Sequence, residues 1–179
     1  GGNTESQPST NPTGNGSDYT INIRSKTTGH VYQAYQVFDG EITNIAQEGQ
    51  DPEYKLSNIR WAGGVDTTSE VEGKTLMVAL REKFSWGENV QNAAQVAEKL
   101  SETTFTAANA EAFADVISKY LGTPVTGTFT QGTQDSQGYY PYTMTVSAAG
   151  YYFVRDSVNP NGTGNAATGN ASYTDYILE

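Results

Sequence analysis

The chain has no cysteine, a single histidine and only 17% charged residues, against roughly 25% in ordinary soluble domains. Each scarcity excludes some chemistry. Without cysteine there is no disulfide framework, no thiolate metal site and no cysteine nucleophile. One histidine, His30, rules out a multi-histidine zinc or iron centre and leaves one imidazole for acid–base work. Lys and Arg number 10 against 20 Asp and Glu, a formal charge of −10. No basic stripe is present to neutralise phosphates, so nucleic acid is not an expected partner. An anionic membrane surface is disfavoured for the same reason. No run reaches the roughly 18 apolar residues that cross a bilayer, so no membrane insertion is expected.

Ser, Thr, Asn and Gln fill the gap left by charge, and Tyr outnumbers Phe 12 to 6. At 179 residues the expectation is one domain with enough chain to bury a real core. Residues 1–18 (GGNTESQPSTNPTGNGSD) carry nothing that anchors a core and read as a flexible leader, its opening glycines as a tag scar.

From residue 19 the period is two. Tyr19, Ile21 and Ile23 alternate with polar residues, predicting a strand over 19–24. HVYQAYQVF (30–38) predicts a second, closed by an Asp39-Gly40 hairpin turn with a return strand over 41–45. YKLSNIRW (54–61) predicts another. The period then changes. Helices are expected over 74–84, over 90–100 with Asn89 as cap, and over 107–121 with Thr106 as cap. In the last, Ala110, Phe113, Ala114, Ile117, Tyr120 and Leu121 form one stripe, and Gly122 with Pro124 stops it. Strand patterns return over 125–130, 142–147, 151–156 and 173–178. The expected fold is therefore mainly β with an α-helical insertion (α+β). It is an antiparallel sandwich with helices inserted at about 70–122 and a helical block over about 74–121.

Candidate sites are few. His30 follows a glycine turn, and no G-x-S-x-G elbow accompanies it, so it reads as a hydrogen-bonded turn histidine rather than part of a triad. Acidic residues are too plentiful for spacing to single out a glycosidase pair. Asp156, Asn159 and Asn161 resemble a calcium loop loosely, without the EF-hand spacing or closing Glu, so no metal is expected. In the adjacent tyrosine pairs, alternation predicts one ring in the core and the other outside. No residue pattern calls for a cofactor, and none is expected.

Four strings carry a resemblance: GHVYQAYQVFDGEI (29–42), LSNIRWAGGV (56–65), AAGYYFVRDS (148–157) and ASYTDYILE (171–179). With LMVALREKF, NAAQVAEKL and AFADVISKYL in order between them, the chain from 19 to 179 resembles the N-terminal domain of Gram-positive, sortase-assembled, isopeptide-forming fimbrial shaft pilins. The resemblance implies an Ig-like, CnaB-like sandwich. It further implies a non-enzymatic structural role in an extracellular pilus anchored to the cell wall. Its partners would be a class C sortase and neighbouring pilin subunits. The rival readings are a tip or basal adhesin module binding a host surface ligand and, more distantly, a secreted carbohydrate-active enzyme. In such pilins the linking lysine lies in a Pro-Lys motif, expected here beyond Glu179.

Family domains often carry an internal Lys–Asn isopeptide bond, which needs a lysine turned inward from a strand. Of the six lysines, Lys26 and Lys55 lie on the polar parity of their strands, and Lys74, Lys83, Lys99 and Lys119 lie in or beside helices. No such bond is expected; were one to form, Lys26 with Asn170 would be the first pair to examine.

Overall fold

The computed structural model describes residues 12–13, 18–51, 54–157, 170–173 and 177–178. Nine strands and three helices are placed among them: β1 (Pro12–Thr13), β2 (Asp18–Ser25), β3 (Tyr32–Asn44), β4 (Tyr54–Trp61), α1 (Leu76–Phe84), α2 (Ala93–Leu100), α3 (Ala107–Ile117), β5 (Thr130–Gln131), β6 (Tyr140–Val146), β7 (Tyr151–Asp156), β8 (Asn170–Tyr173) and β9 (Ile177–Leu178). The fold is mixed α+β, with mostly antiparallel sheets and the helices between β4 and β5. One sheet has the order β1-β2-β6-β5, the other β8-β7-β3-β4-β9. Among the described residues only the short β4–β9 pairing is parallel.

The two sheets and the helices share one hydrophobic cluster. The alternation over 19–24 buries Tyr19, Ile21 and Ile23 as expected. β7 departs from alternation: Tyr151, Tyr152, Phe153 and Val154 are all buried. The ring of Tyr151 meets Phe113 of α3 at 5.7 Å, so helix covers one face of this strand. On the opposite face Tyr152 donates its hydroxyl to the Ala148 carbonyl. A strand covered on both faces buries both parities, and the expected split of the tyrosine pair fails here.

The Asp39-Gly40 hairpin is also replaced. β3 runs unbroken from Tyr32 to Asn44, with register shifts between Gln36 and Phe38 and between Asp39 and Glu41. Its first half pairs with β7 and its second half with β4. Gly40 is needed for close approach: a Cβ there would stand 2.6 Å from the Ser57 carbonyl oxygen. Pro12–Thr13, within the expected leader, pairs with Asp18–Tyr19.

The helices lie where the period changes, with shifted ends. Thr106 caps α3 as expected, its side chain accepting from Asn109 N. The cap of α2 is Asn92, not Asn89; its Oδ1 accepts from Gln95 N at 2.9 Å. Helix α3 stops at Ile117 because the chain beyond is drawn across to residues 63–65. Leu121 bridges Val65, Gly122 N donates to Gly64 O and Thr123 N to Gly63 O.

Candidate functional site

At the end of the molecule where β2 finishes and β3 begins, residues from four separate segments converge. β2 ends at Ser25, and a bend over 26–28 leads through Gly29, which adopts φ +82°, to His30. That left-handed turn is open to glycine at no steric cost, and it brings the His30 ring back over the end of β2. β7 pairs antiparallel with β3 so that Asp156 lies opposite Tyr32, which presents its carboxylate to His30. β6 contributes Tyr142 and the adjoining β5 contributes Gln131, opposite each other in register.

The contacts form a chain. Asp156 Oδ2 lies 2.5 Å from His30 Nδ1, and Asp156 Oδ1 accepts from Val31 N at 3.3 Å. A carboxylate can only accept, so Nδ1 carries a proton. His30 Nε2 lies 2.5 Å from Thr27 Oγ1 and 3.2 Å from Ser25 Oγ. Ser25 is fully buried and also accepts from Thr27 N at 3.2 Å; Thr27 is exposed. The imidazole is stacked on Tyr32 at 5.3 Å and meets the edge of Tyr142 at 5.8 Å, and only 13% of it is open to solvent.

The Tyr142 hydroxyl is shared between the Thr27 carbonyl at 2.8 Å and Gln131 Oε1 at 3.2 Å. Gly29 N donates to the same Oε1 at 3.3 Å. Burial first, and the nearby Asp156 charge, push the Tyr142 hydroxyl above its ordinary pKa, against an opposing backbone hydrogen bond at His30. It therefore stays a proton donor through the neutral range.

Reading His30 from sequence anticipated a hydrogen-bonded turn histidine but not this hydroxyl–imidazole–carboxylate line. Asp156 was singled out for a calcium loop; its carboxylate is instead engaged by His30 and Val31 N. Asn159 and Asn161 lie outside the described residues, and no cluster of three or more metal-ligating side chains occurs among the described residues. Thr27, Ser25, Tyr142 and Gln131 had no signal in the sequence, since no motif spaces them.

Lys26 is exposed, with Nζ 5.3 Å from the Tyr139 ring centre. It follows β2 in one sheet, whereas Asn170 pairs with Val154 in the other. A separate cavity of about 350 Å³ opens between α1 and α3, lined by Lys74, Lys83, Lys119, Glu72, Glu82 and Tyr120 among others. Lys74 is paired with Glu82, which is the first cause of its raised pKa.

No helix among the described residues is long and apolar enough to cross a membrane. Comparison with protein-family models, with curated proteins and with solved structures finds no match for this chain.

Proposed function

We propose that the chain is a structural module of a covalently polymerised Gram-positive pilus, the N-terminal domain of a shaft pilin. On this reading the two sheets form an Ig-like, CnaB-like sandwich on the cell surface, and a class C sortase and the adjoining pilin subunits are its partners. One observation carries the reading. The four strings that resemble the pilin family, the first and last separated by well over half the chain, fall on β3, β4, β7 and β8 with β9, which together make up a single five-stranded sheet. Strings retained by chance have no reason to collect in one sheet. The low charge and the hydroxyl- and amide-rich composition suit subunits that stack through polar faces.

The alternative, a tip or basal adhesin module, draws support from the lysine-lined cavity between α1 and α3, a concave site of a size that takes small ligands. The experiment is an immunoblot with antibody to this chain on detergent-boiled cell-wall extracts of the producing cells. A ladder of high-mass species that collapses when the sortase is deleted is the expected result. A single band indifferent to the sortase would refute the shaft reading. A sortase-dependent species without a ladder would favour the tip or basal module.

A further inference from the structure

The cavity between α1 and α3 gathers lysine in a chain that has little of it. Three of the six lysines line it, although the formal charge of the chain is −10. Three short pieces build it. Val71 and Lys74 exchange backbone hydrogen bonds of 2.9 and 3.1 Å. Between them Glu72 (φ 53°) and Gly73 (φ 79°) are both left-handed, as a two-residue hairpin turn requires. Ala79, Glu82 and Lys83 share one face of α1 through their spacing of three and four. Val116, Lys119 and Tyr120 come from the end of α3 and the residues just beyond it. The Tyr120 hydroxyl donates to the Lys74 carbonyl at 2.7 Å, which ties the turn to the end of α3.

The cavity has an apolar floor and a charged rim. Val116 and Tyr120 are buried, and Val71 and Ala79 are half-buried against the core. Glu72, Glu82, Lys83 and Lys119 are exposed. The rim charges do not cancel in pairs. Lys74 is bonded to Glu82, and its pKa is raised first by that hydrogen bond, then by the Glu82 charge and, against some desolvation, by the Glu72 charge. Both carboxylates therefore act on one ammonium. Lys83 and Lys119 have no ion-pair partner among the described residues.

We propose that this cavity binds a single sugar-acid unit, uronic or sialic. Its carboxylate meets Lys83 and Lys119, its hydroxyls donate to Glu72 and Glu82, and the C–H face of its ring lies on Val116 and Tyr120. Each part of the site calls for one part of that ligand. An ammonium can only donate and a carboxylate only accept, so the ligand must carry both an anion and hydroxyl donors. Acetate or inorganic phosphate would match the lysines but leave the apolar floor uncovered. A neutral sugar would cover the floor and leave the lysines unmatched. The volume of about 350 Å³ lies at the small end of ligand sites and suits a monosaccharide. The inference gives the adhesin alternative a ligand class but rests on the cavity alone, so it stands or falls separately from the sortase immunoblot.

NMR titration of the isotope-labelled 179-residue chain with the methyl glycosides of glucuronic acid and N-acetylneuraminic acid tests the proposal. At least one should shift the amide signals of residues 71–74, 79–83 and 116–120 saturably, with a Kd in the millimolar range or tighter. Added salt should weaken the binding, because the lysines are exposed. Lys83→Gln and Lys119→Gln, at exposed positions outside the core, should each weaken it about tenfold. Lys99→Gln, on α2 and paired with Glu102 at 3.7 Å, should leave it unchanged. Methyl glucoside, acetate and phosphate should each bind at least about tenfold more weakly than the better sugar acid. Equal binding of any of these three overturns the proposal. So does the absence of saturable shifts with both acids well above the millimolar range, or binding that neither Lys83→Gln nor Lys119→Gln weakens.

Discussion

Two adjacent glycines with the same sequence surroundings should respond oppositely to alanine. Gly64 is buried against β3: a Cβ there would lie 2.3 Å from Gln36 N, 2.4 Å from Gln36 O and 2.7 Å from Tyr35 C. All three are backbone atoms of a paired strand, so no side chain can swing aside. Relief requires the 62–65 segment to lift off β3, which strains or breaks Gly64 N→Gln36 O and Ala62 N→Val37 O, both 2.9 Å. Overpacking costs about 1–3 kcal/mol and each lost hydrogen bond a net of about 0.5–1.5 kcal/mol. Gly64→Ala should therefore cost about 2–6 kcal/mol, which lowers the melting temperature by roughly 10 °C at the middle of that range in a chain of this length. A Cβ on Gly63 meets nothing within 4 Å, and its φ lies outside the left-handed region. Gly63→Ala should leave stability unchanged or raise it by about 0.5 kcal/mol through the unfolded chain. Urea denaturation of the two variants beside the parent measures both. A Gly64→Ala cost below about 1 kcal/mol, or equal losses at the two positions, would refute the close approach described above.

Two further measurements probe other parts of the molecule. Phe38 is fully buried and stacks on Trp61 at 5.0 Å and Phe113 at 6.3 Å, so Phe38→Ala should cost about 3–5 kcal/mol within one cooperative calorimetric transition; separate melting of sheet and helices would contradict the shared core. Asp66 accepts from the Ser69 side chain and from the backbone N–H groups of Ser69 and Thr68, which lowers its pKa to about 2. A carboxylate with a depressed folded pKa stabilises fully above its unfolded value of about 3.9 and loses that contribution as pH falls toward 2. NMR titration of the Asp66 carboxyl carbon should show a midpoint near 2; one near 3.9 would remove the hydrogen-bonded turn.

Legibility in the sequence tracked the range of the interactions involved. Thr106 was readable as a cap because its partner, Asn109 N, is three residues away, and the helical stripe through Phe113, Ala114 and Ile117 because its period is local; the expected continuation to Tyr120 and Leu121 lies beyond the end of α3. The sequence points to Asn89 as the cap of α2, and the structure uses Asn92. The choice fell to Asn92 because Ala93, Val96 and Ala97 are the positions packed into the core, a tertiary fact. Asp39-Gly40 carries the local signature of a turn, yet pairing with β7 on one half and β4 on the other holds the strand straight through it.

By itself the sequence determined the alternation of β and α segments and the classes of chemistry left open, because periodicity and composition act over a few residues. It also held the four strings on which the pilus proposal rests. Only the tertiary structure decided that those strings share a sheet, that both faces of β7 are covered, and that His30 meets Asp156 across 126 residues and Gly29 meets Gln131 across 102. The reason is physical: strand pairing and core packing bring distant segments together through many weak contacts, and no single residue records the partner it will meet.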